Sequence, residues 1–125
     1  MDQVVKDQIM GALNDLPNKI KIKEQEVWDL KEKILLQEDK EQKHKNIVMA
    51  EVNSMTDPET QKAMYSNDIK RKLALDNRLS LSTEYKSLEN DILASKKLMY
   101  ELESDLKYLE RRFRAAEGMT RILGL

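Results

Sequence analysis

The sequence contains no cysteine, only two prolines and only three glycines. Without cysteine the chain has no disulfide, no thiol nucleophile and no zinc–thiolate site. The three glycines stand apart from one another, at positions 11, 118 and 124, so no glycine-rich loop is available to cradle a nucleotide phosphate. We therefore predict that the protein is not an enzyme and binds neither a cofactor nor a metal.

Long apolar runs and an excess of one charge are also missing. No run approaches the ~20 apolar residues of a membrane span, and the first residues, MDQVVKDQ, lack the basic-then-apolar order of a signal peptide. The 22 basic and 23 acidic residues are mixed at short range and give a net charge of −1, so there is no global basic field for nucleic acid. The sequence predicts a cytoplasmic protein that does not bind membranes.

The residues that are abundant favour helix. Lysine, glutamate, leucine, glutamine, methionine and alanine dominate, and these lose little rotamer freedom in a helix. Charged residues make up 36% and aromatic residues 5%, which leaves little material for a thick globular core. We predict an all-α chain that forms one domain, residues 1–125.

The first half of the chain predicts a short helix followed by a long one. Residues 1–16 have apolar positions at three- and four-residue steps, and Pro17 is expected to end or kink that helix. Residues 18–55 then run without proline or glycine, with apolar residues near a seven-residue repeat. The polar stretch 37–46 interrupts this repeat and can be helical through alternating charge.

The second half contains a longer apolar repeat, on a helix predicted over residues 83–118 with a tail at 119–125. Its apolar positions recur at alternating steps of three and four, which is typical of a coiled-coil seam. We take the following as a candidate oligomer seam: Tyr85, Leu88, Ile92, Met99, Leu102, Leu106, Leu109 and Phe113. Leu93, Leu98, Tyr100 and Tyr108 widen the apolar stripe, and a broader stripe suggests more than one partner helix.

The segment NSMTDPETQKAMYSNDIKRK, residues 53–72, separates these two stretches. Thr56 with Glu59 fits a capping box, so we expect one helix to stop near Met55 and another to begin at once. Ser66 and Asn67 repeat the cap signal, and so do Ser80, Ser82 and Thr83. The connector, residues 56–82, is predicted to hold one or two short helices and to present an exposed recognition head.

The near-equal lengths of the two long stretches predict an antiparallel helical hairpin with a small helical connector. A lone two-helix hairpin is usually marginal, because it buries only one narrow seam. We therefore expect a homodimer that completes a helical bundle.

Candidate partner-binding residues are one tryptophan, one tyrosine and two basic groups. Trp28 lies one position from the apolar repeat, and Tyr65 precedes a cap signal. The basic groups are Lys70, Arg71, Lys72 and Arg78 in the connector, and Arg111, Arg112, Arg114 and Arg121 near the C-terminus. His44, the only histidine, is interpreted as a solvated helix position, since it has no second histidine or cysteine with which to bind a metal.

The order of short helix, proline break, long helix, compact reversal and second long helix resembles the layout of phage host-nuclease inhibitors of the Gam type. The stretch AMYSNDIKRKLALDNRL is similar to segments of uncharacterised small phage and prophage proteins. The resemblance implies an all-helical dimer with a coiled-coil body that obstructs DNA ends or the DNA channel of a nuclease.

Three functions are compatible with the sequence. The first is a non-enzymatic protein-interaction module of phage or mobile-element type, which inhibits or scaffolds a nucleic-acid-processing or host-defence protein. The second is direct nucleic-acid binding through the two basic groups, and the third is a structural coiled-coil spacer.

Overall fold

A computed structural model of the protein describes residues 2–60 and 62–124. Within these residues the chain forms three helices and no strand: α1 (Gln3–Ser54), α2 (Asp68–Leu81) and α3 (Thr83–Leu123). The predicted all-α class is confirmed. Met1, Gln61 and Leu125, which fall in the predicted first helix, connector and tail, lie outside the described residues.

Helix α1 is continuous through Pro17, which differs from the predicted short first helix. A proline inside a helix has no N–H to donate to the carbonyl four residues earlier, here that of Leu13. Leu16, only 1% exposed, and Ile20, half-buried, anchor the helix on both sides of the proline. Burial on both sides explains why the helix tolerates a residue that normally ends one.

The polar stretch 37–46 is helical, as its alternating charges suggest. Lys43 pairs with Asp39 one turn earlier at 2.8 Å, and the amide of Gln42 donates to Asn46 at 2.9 Å. The hydrogen bond from Lys43 to Asp39, together with the negative charge of Asp39, raises the pKa of this fully exposed lysine. Side-chain pairs of this kind support α1 where it buries little apolar surface.

Residues 55–60 and 62–67 are not helical, and no helix begins at Thr56. The Asp57 carboxylate accepts a hydrogen bond from the Glu59 amide at 2.9 Å, and the Asp57 amide donates to the Lys62 carbonyl at 2.8 Å. A residue before proline avoids the α conformation, and an aspartate readily caps its own turn. The predicted capping box is therefore replaced by a tight turn at Asp57.

The two later cap predictions are confirmed. The Asn67 side chain accepts from the Lys70 amide at 2.8 Å and begins α2. The Ser82 hydroxyl accepts from the Tyr85 amide at 3.1 Å and begins α3. Helices α2 and α3 are thus separated by a single residue, Ser82.

The contacts divide the chain into two compact units, although the sequence predicts one domain. The first unit comprises Met1–Glu32 and Lys96–Leu125, and the second Lys33–Ser95. Helices α1 and α3 both contribute to each unit, because a helix is held by local hydrogen bonds whatever it packs against.

In the first unit the α1 and α3 segments run in opposite directions. Leu13 lies beside Thr120, Ile20 beside Phe113, and the Lys31 ammonium is 4.0 Å from the Glu103 carboxylate. The core of this unit consists of buried side chains from both segments: Ile9, Leu16, Val27, Leu30, Met99 and Ala116.

In the second unit α2 packs on α1. Leu75 and Leu79 of α2 form a buried cluster with Val48 of α1, and Tyr85 of α3 packs against it. No helix within residues 2–60 and 62–124 has the length and apolar character needed to cross a membrane.

Candidate protein-interaction surfaces

The outer face of α2 leaves large apolar side chains in solvent. Ile69 and Leu73 lie one turn apart and are 74% and 64% exposed, and Leu81 is exposed as well. Only Leu75 and Leu79 of this helix are buried. A 14-residue helix that exposes three large apolar side chains and buries two presents the kind of surface that marks a binding site.

The non-helical segment before α2 extends this apolar face. Met64 and Tyr65 lie beside Leu73 and line a shallow groove of about 430 Å³ with Lys70, Ala74 and Asn77. The Arg71 guanidinium donates to the Tyr65 carbonyl at 3.2 Å, which ties this segment to α2. We call Met64, Tyr65, Ile69 and Leu73 the outer α2 patch.

The basic residues around the outer α2 patch have two different roles. Arg71 contacts the carbonyls of Tyr65 and Ser66 and lies 3.6 Å from the Asp68 carboxylate, so it holds the local structure. The side chains of Lys70 and Lys72 are exposed and have no hydrogen-bond or ion-pair partner among the described residues. These two ammonium groups are available to a partner.

Arg78, the fourth basic residue of the connector, faces α1. Its guanidinium is 3.4 Å from the Glu51 carboxylate and 2.7 Å from the Met55 sulfur. Arg78 is therefore a packing residue that joins α2 to the last turns of α1.

A second groove, of about 390 Å³, runs between α1 and α2 in the same unit. Its apolar lining is Met49, Val52 and Leu75, and its polar lining includes Lys72 and Asp76. Because charges of both signs line it, this groove favours no one charge of ligand.

The four C-terminal arginines lie on α3 in the first unit, whereas the connector residues lie in the second. Arg112 stacks over the Tyr108 ring at 5.8 Å, and Arg114 pairs with Glu110 one turn earlier at 3.7 Å. Arg111 and Arg121 are exposed, and their side chains have no hydrogen-bond or ion-pair partner within residues 2–60 and 62–124. Within the described part of the chain, the eight predicted basic residues therefore divide into four that contact another residue and four that do not.

Trp28 is 61% exposed, and its indole N–H donates to the Glu32 carboxylate at 3.0 Å. The hydrogen bond fixes the ring along the surface of α1 in the first unit. An exposed tryptophan held in one orientation is a suitable anchor for a partner, so Trp28 remains a candidate contact residue.

The candidate oligomer seam is packed within the single chain. Ile92 and Met99 are buried, and the other six are half-buried: Tyr85, Leu88, Leu102, Leu106, Leu109 and Phe113. Phe113, for example, lies beside Pro17 and Ile20 of α1. Because this seam is already covered inside one chain, a second copy needs another surface.

His44 is not the solvated residue that the sequence suggests. Its side chain is 17% exposed, its Nε2 lies 3.3 Å from the Ser82 hydroxyl, and its Nδ1 lies 3.7 Å from the Glu84 carboxylate. Its ring also stacks on Tyr85 at 6.1 Å. No pattern near His44 predicts this position, since all three partners come from a region about 40 residues further along the chain.

A serine, a histidine and a glutamate in this order invite comparison with a catalytic triad. The Ser82 hydroxyl, however, already accepts the capping hydrogen bond that begins α3, and the Glu84 side chain is 75% exposed. These contacts favour a structural role, in which His44 fastens the junction of α2 and α3 onto α1.

The surroundings of Tyr85 shift the pKa of its phenol. Burial raises its pKa above the usual value, and the negative charges of Glu41, Glu89 and Asp76 raise it further. All these groups belong to the second unit, so the shift reports packing within that unit.

Among the described residues no group of three or more histidine, cysteine, aspartate and glutamate side chains could hold a metal ion. Comparison with protein-family models, curated protein sequences and solved structures finds no match to this chain. The fold and these surfaces thus define the class, an all-α protein with apolar helix faces in solvent.

Proposed function

We propose that the protein is a non-enzymatic protein-interaction module, an antiparallel helical hairpin that presents the outer α2 patch to a larger protein. The observation that carries this proposal is the exposure of Ile69 and Leu73, 74% and 64%, on one face of a short helix. Fully burying such a side chain stabilises a complex by roughly 1.5–3 kcal/mol. Two of them on adjacent turns can anchor a partner helix.

The charges beside the patch indicate the chemistry of the partner. Lys70 and Lys72 are exposed and lack partners among the described residues, whereas Arg71 is engaged by its own loop. A partner helix with leucine or phenylalanine on one face and aspartate or glutamate beside it would complement both features. This chemistry favours an acidic amphipathic helix over a bare phosphate backbone.

The likeness in layout to Gam-type inhibitors suggests that the larger protein is a nucleic-acid-processing or host-defence factor. The order of a long helix, a connector with a short helix and a second long helix supports that suggestion. The separate N-terminal helix of that layout is not present here, because α1 continues through Pro17. The proposal of an interaction module therefore depends on the outer α2 patch.

Selection from a displayed library of amphipathic helical peptides tests the proposal. We expect the purified protein to enrich peptides that combine apolar and acidic residues. The double variant Ile69→Glu/Leu73→Glu should bind them at least tenfold more weakly, because two buried apolar contacts become charged. Affinity is measured by fluorescence anisotropy on the enriched peptides.

The double variant Leu36→Glu/Leu93→Glu is the matched control. Both leucines are exposed to a similar degree, belong to the same unit and undergo a similar change of apolar side chain to carboxylate. The proposal is wrong if the enriched peptides bind both double variants as tightly as they bind the wild type. Failure of the library to yield any binder would also count against it.

A further inference from the structure

Helix α3 carries a second heptad strip beside its buried seam. The heptad positions from Met99 to Leu123 continue the seam through Ala116, Thr120 and Leu123, and the residues one position before them are all exposed: Leu98, Glu101, Asp105, Tyr108, Arg112, Ala115, Met119 and Ile122. They follow one another at alternating steps of four and three and all belong to the first unit. We call them the outer α3 strip.

The apolar members give this strip the pattern of a helix that faces another helix. Leu98, Tyr108, Met119 and Ile122 are large and exposed, with Ile122 at 79%. Five of the eight heptad positions of the strip are apolar, and apolar residues at heptad positions on a helix surface are typical of a coiled-coil contact. The chain's own helices cover the neighbouring seam and leave this strip exposed.

The charges along the strip are divided by position. Glu101 and Asp105 lie on the N-terminal side of Tyr108, and Arg111 and Arg112 lie on its C-terminal side. In a parallel pair of α3 helices, Asp105 would meet Asp105 and Arg112 would meet Arg112. In an antiparallel pair centred on Tyr108, Asp105 of each copy lies level with Arg111, at the edge of the other copy's strip, and Glu101 lies within one turn of Arg112.

We propose that a second copy of this chain covers the outer α3 strip, antiparallel and related by a two-fold axis near Tyr108. The contact is isologous, so each strip supplies both halves of the charge pattern. It accounts for Leu98 and Tyr108 of the widened apolar stripe without using the seam that the chain covers itself. It involves the first unit and does not depend on the outer α2 patch.

Charge exchange between two variants of the full chain tests this dimer. The first variant, Glu101→Lys/Asp105→Lys, makes the strip wholly basic, and the second, Arg111→Glu/Arg112→Glu, makes it wholly acidic. We expect each variant alone to self-associate on the order of tenfold more weakly than the wild type, because like charges then meet. An equimolar mixture should regain dimer, since every opposed pair is then of opposite sign.

Sedimentation velocity from about 1 µM to 1 mM measures the association, with circular dichroism to check that each variant stays helical. The control variant Lys107→Glu/Arg121→Glu makes the same change of charge outside the strip and should dimerise like the wild type. A wild type that is monomeric over this range overturns the proposal. So does a mixture of the two strip variants that associates no more than either does alone.

The orientation has its own test, because the chain has no cysteine of its own. Ala115→Cys on one copy and Glu101→Cys on the other should form a disulfide under mild oxidation in the antiparallel pair. Ala115→Cys alone should remain reduced. If Ala115→Cys instead crosslinks readily to itself, the pair is parallel and the proposal is wrong.

Discussion

Tyr85 shows how one side chain reports on the packing of three helices. Its ring stacks on His44 of α1 and packs against Leu75 and Leu79 of α2, while its backbone begins α3. Burial and three nearby carboxylates disfavour the ionised phenol, so its pKa in the folded protein is raised. The tyrosine of the unfolded chain ionises near pH 10.

This shift predicts a loss of stability at alkaline pH. Below about pH 10 the phenol is protonated in both the folded and the unfolded protein, and its contribution to the free energy of unfolding is fully present. As the pH rises further, the unfolded chain loses the proton first, so the free energy of unfolding falls until the folded pKa is passed. We expect Tyr85→Phe to change stability little at pH 7 and to make the fall in the free energy of unfolding above pH 10 shallower.

Urea unfolding followed by circular dichroism measures this slope. Tyr100→Phe, which removes a phenol that is 74% exposed, is the control and should leave the slope unchanged. Lys43, whose pKa is also raised, contributes to the fall in the free energy of unfolding in the same pH range. Its contribution is the same in the wild type, Tyr85→Phe and Tyr100→Phe. Equal slopes for the wild type and Tyr85→Phe would show that ionisation of Tyr85 does not cause the loss of stability at alkaline pH.

At the scale of helices, Pro17 is the residue at which local preference and packing disagree. The α1 helix continues through it, with Leu16 buried on one side and Ile20 half-buried on the other. A proline inside a helix costs about 3 kcal/mol through the missing N–H and the clash with the preceding turn. Burial on both sides outweighs that cost here.

Pro17→Ala should therefore stabilise the protein, by about 1–3 kcal/mol, because alanine restores the donor to the Leu13 carbonyl and has the highest helix propensity. The neighbouring exposed residue provides the control, Asn18→Ala, which should stabilise by less than about 1 kcal/mol. Chemical denaturation of both variants gives the comparison. A Pro17→Ala protein less stable than the wild type would show that the contact between the proline ring and Phe113 of α3 outweighs the restored hydrogen bond.

These elements also show how far sequence reasoning reaches. The α3 seam was predictable because eight apolar positions recur at heptad spacing with one polar residue, Ser95, among them. The caps at Asn67 and Ser82 were predictable because each is a local contact over three residues. The continuity of α1 was not predictable, because it depends on what Leu16 and Ile20 pack against. The position of His44 was likewise set by Ser82 and Tyr85, about 40 residues away.

For the whole molecule, the balance of charge decides how strongly it can bind nucleic acid. The chain has 22 basic and 23 acidic residues, and its predicted basic groups lie in different units. Arg71, Arg78 and Arg114 have ion-pair partners and Arg112 stacks on Tyr108. Direct nucleic-acid binding would thus rely on four residues without partners among the described residues: Lys70, Lys72, Arg111 and Arg121.

We accordingly expect binding to a 30-base-pair DNA duplex to be no tighter than nonspecific binding, with a dissociation constant of about 10⁻⁶ M or weaker near 150 mM salt. If all four free basic residues did contact phosphates, log K would fall with log salt at a slope of about −3.6. Fluorescence anisotropy between 50 and 300 mM salt, on the wild type and on Arg111→Glu/Arg112→Glu/Arg114→Glu, measures both quantities. Tight binding that falls steeply with salt and is abolished in the triple variant would favour direct nucleic-acid binding. Weak binding that the triple variant leaves unchanged favours a module whose exposed apolar faces, not its cations, select the partner.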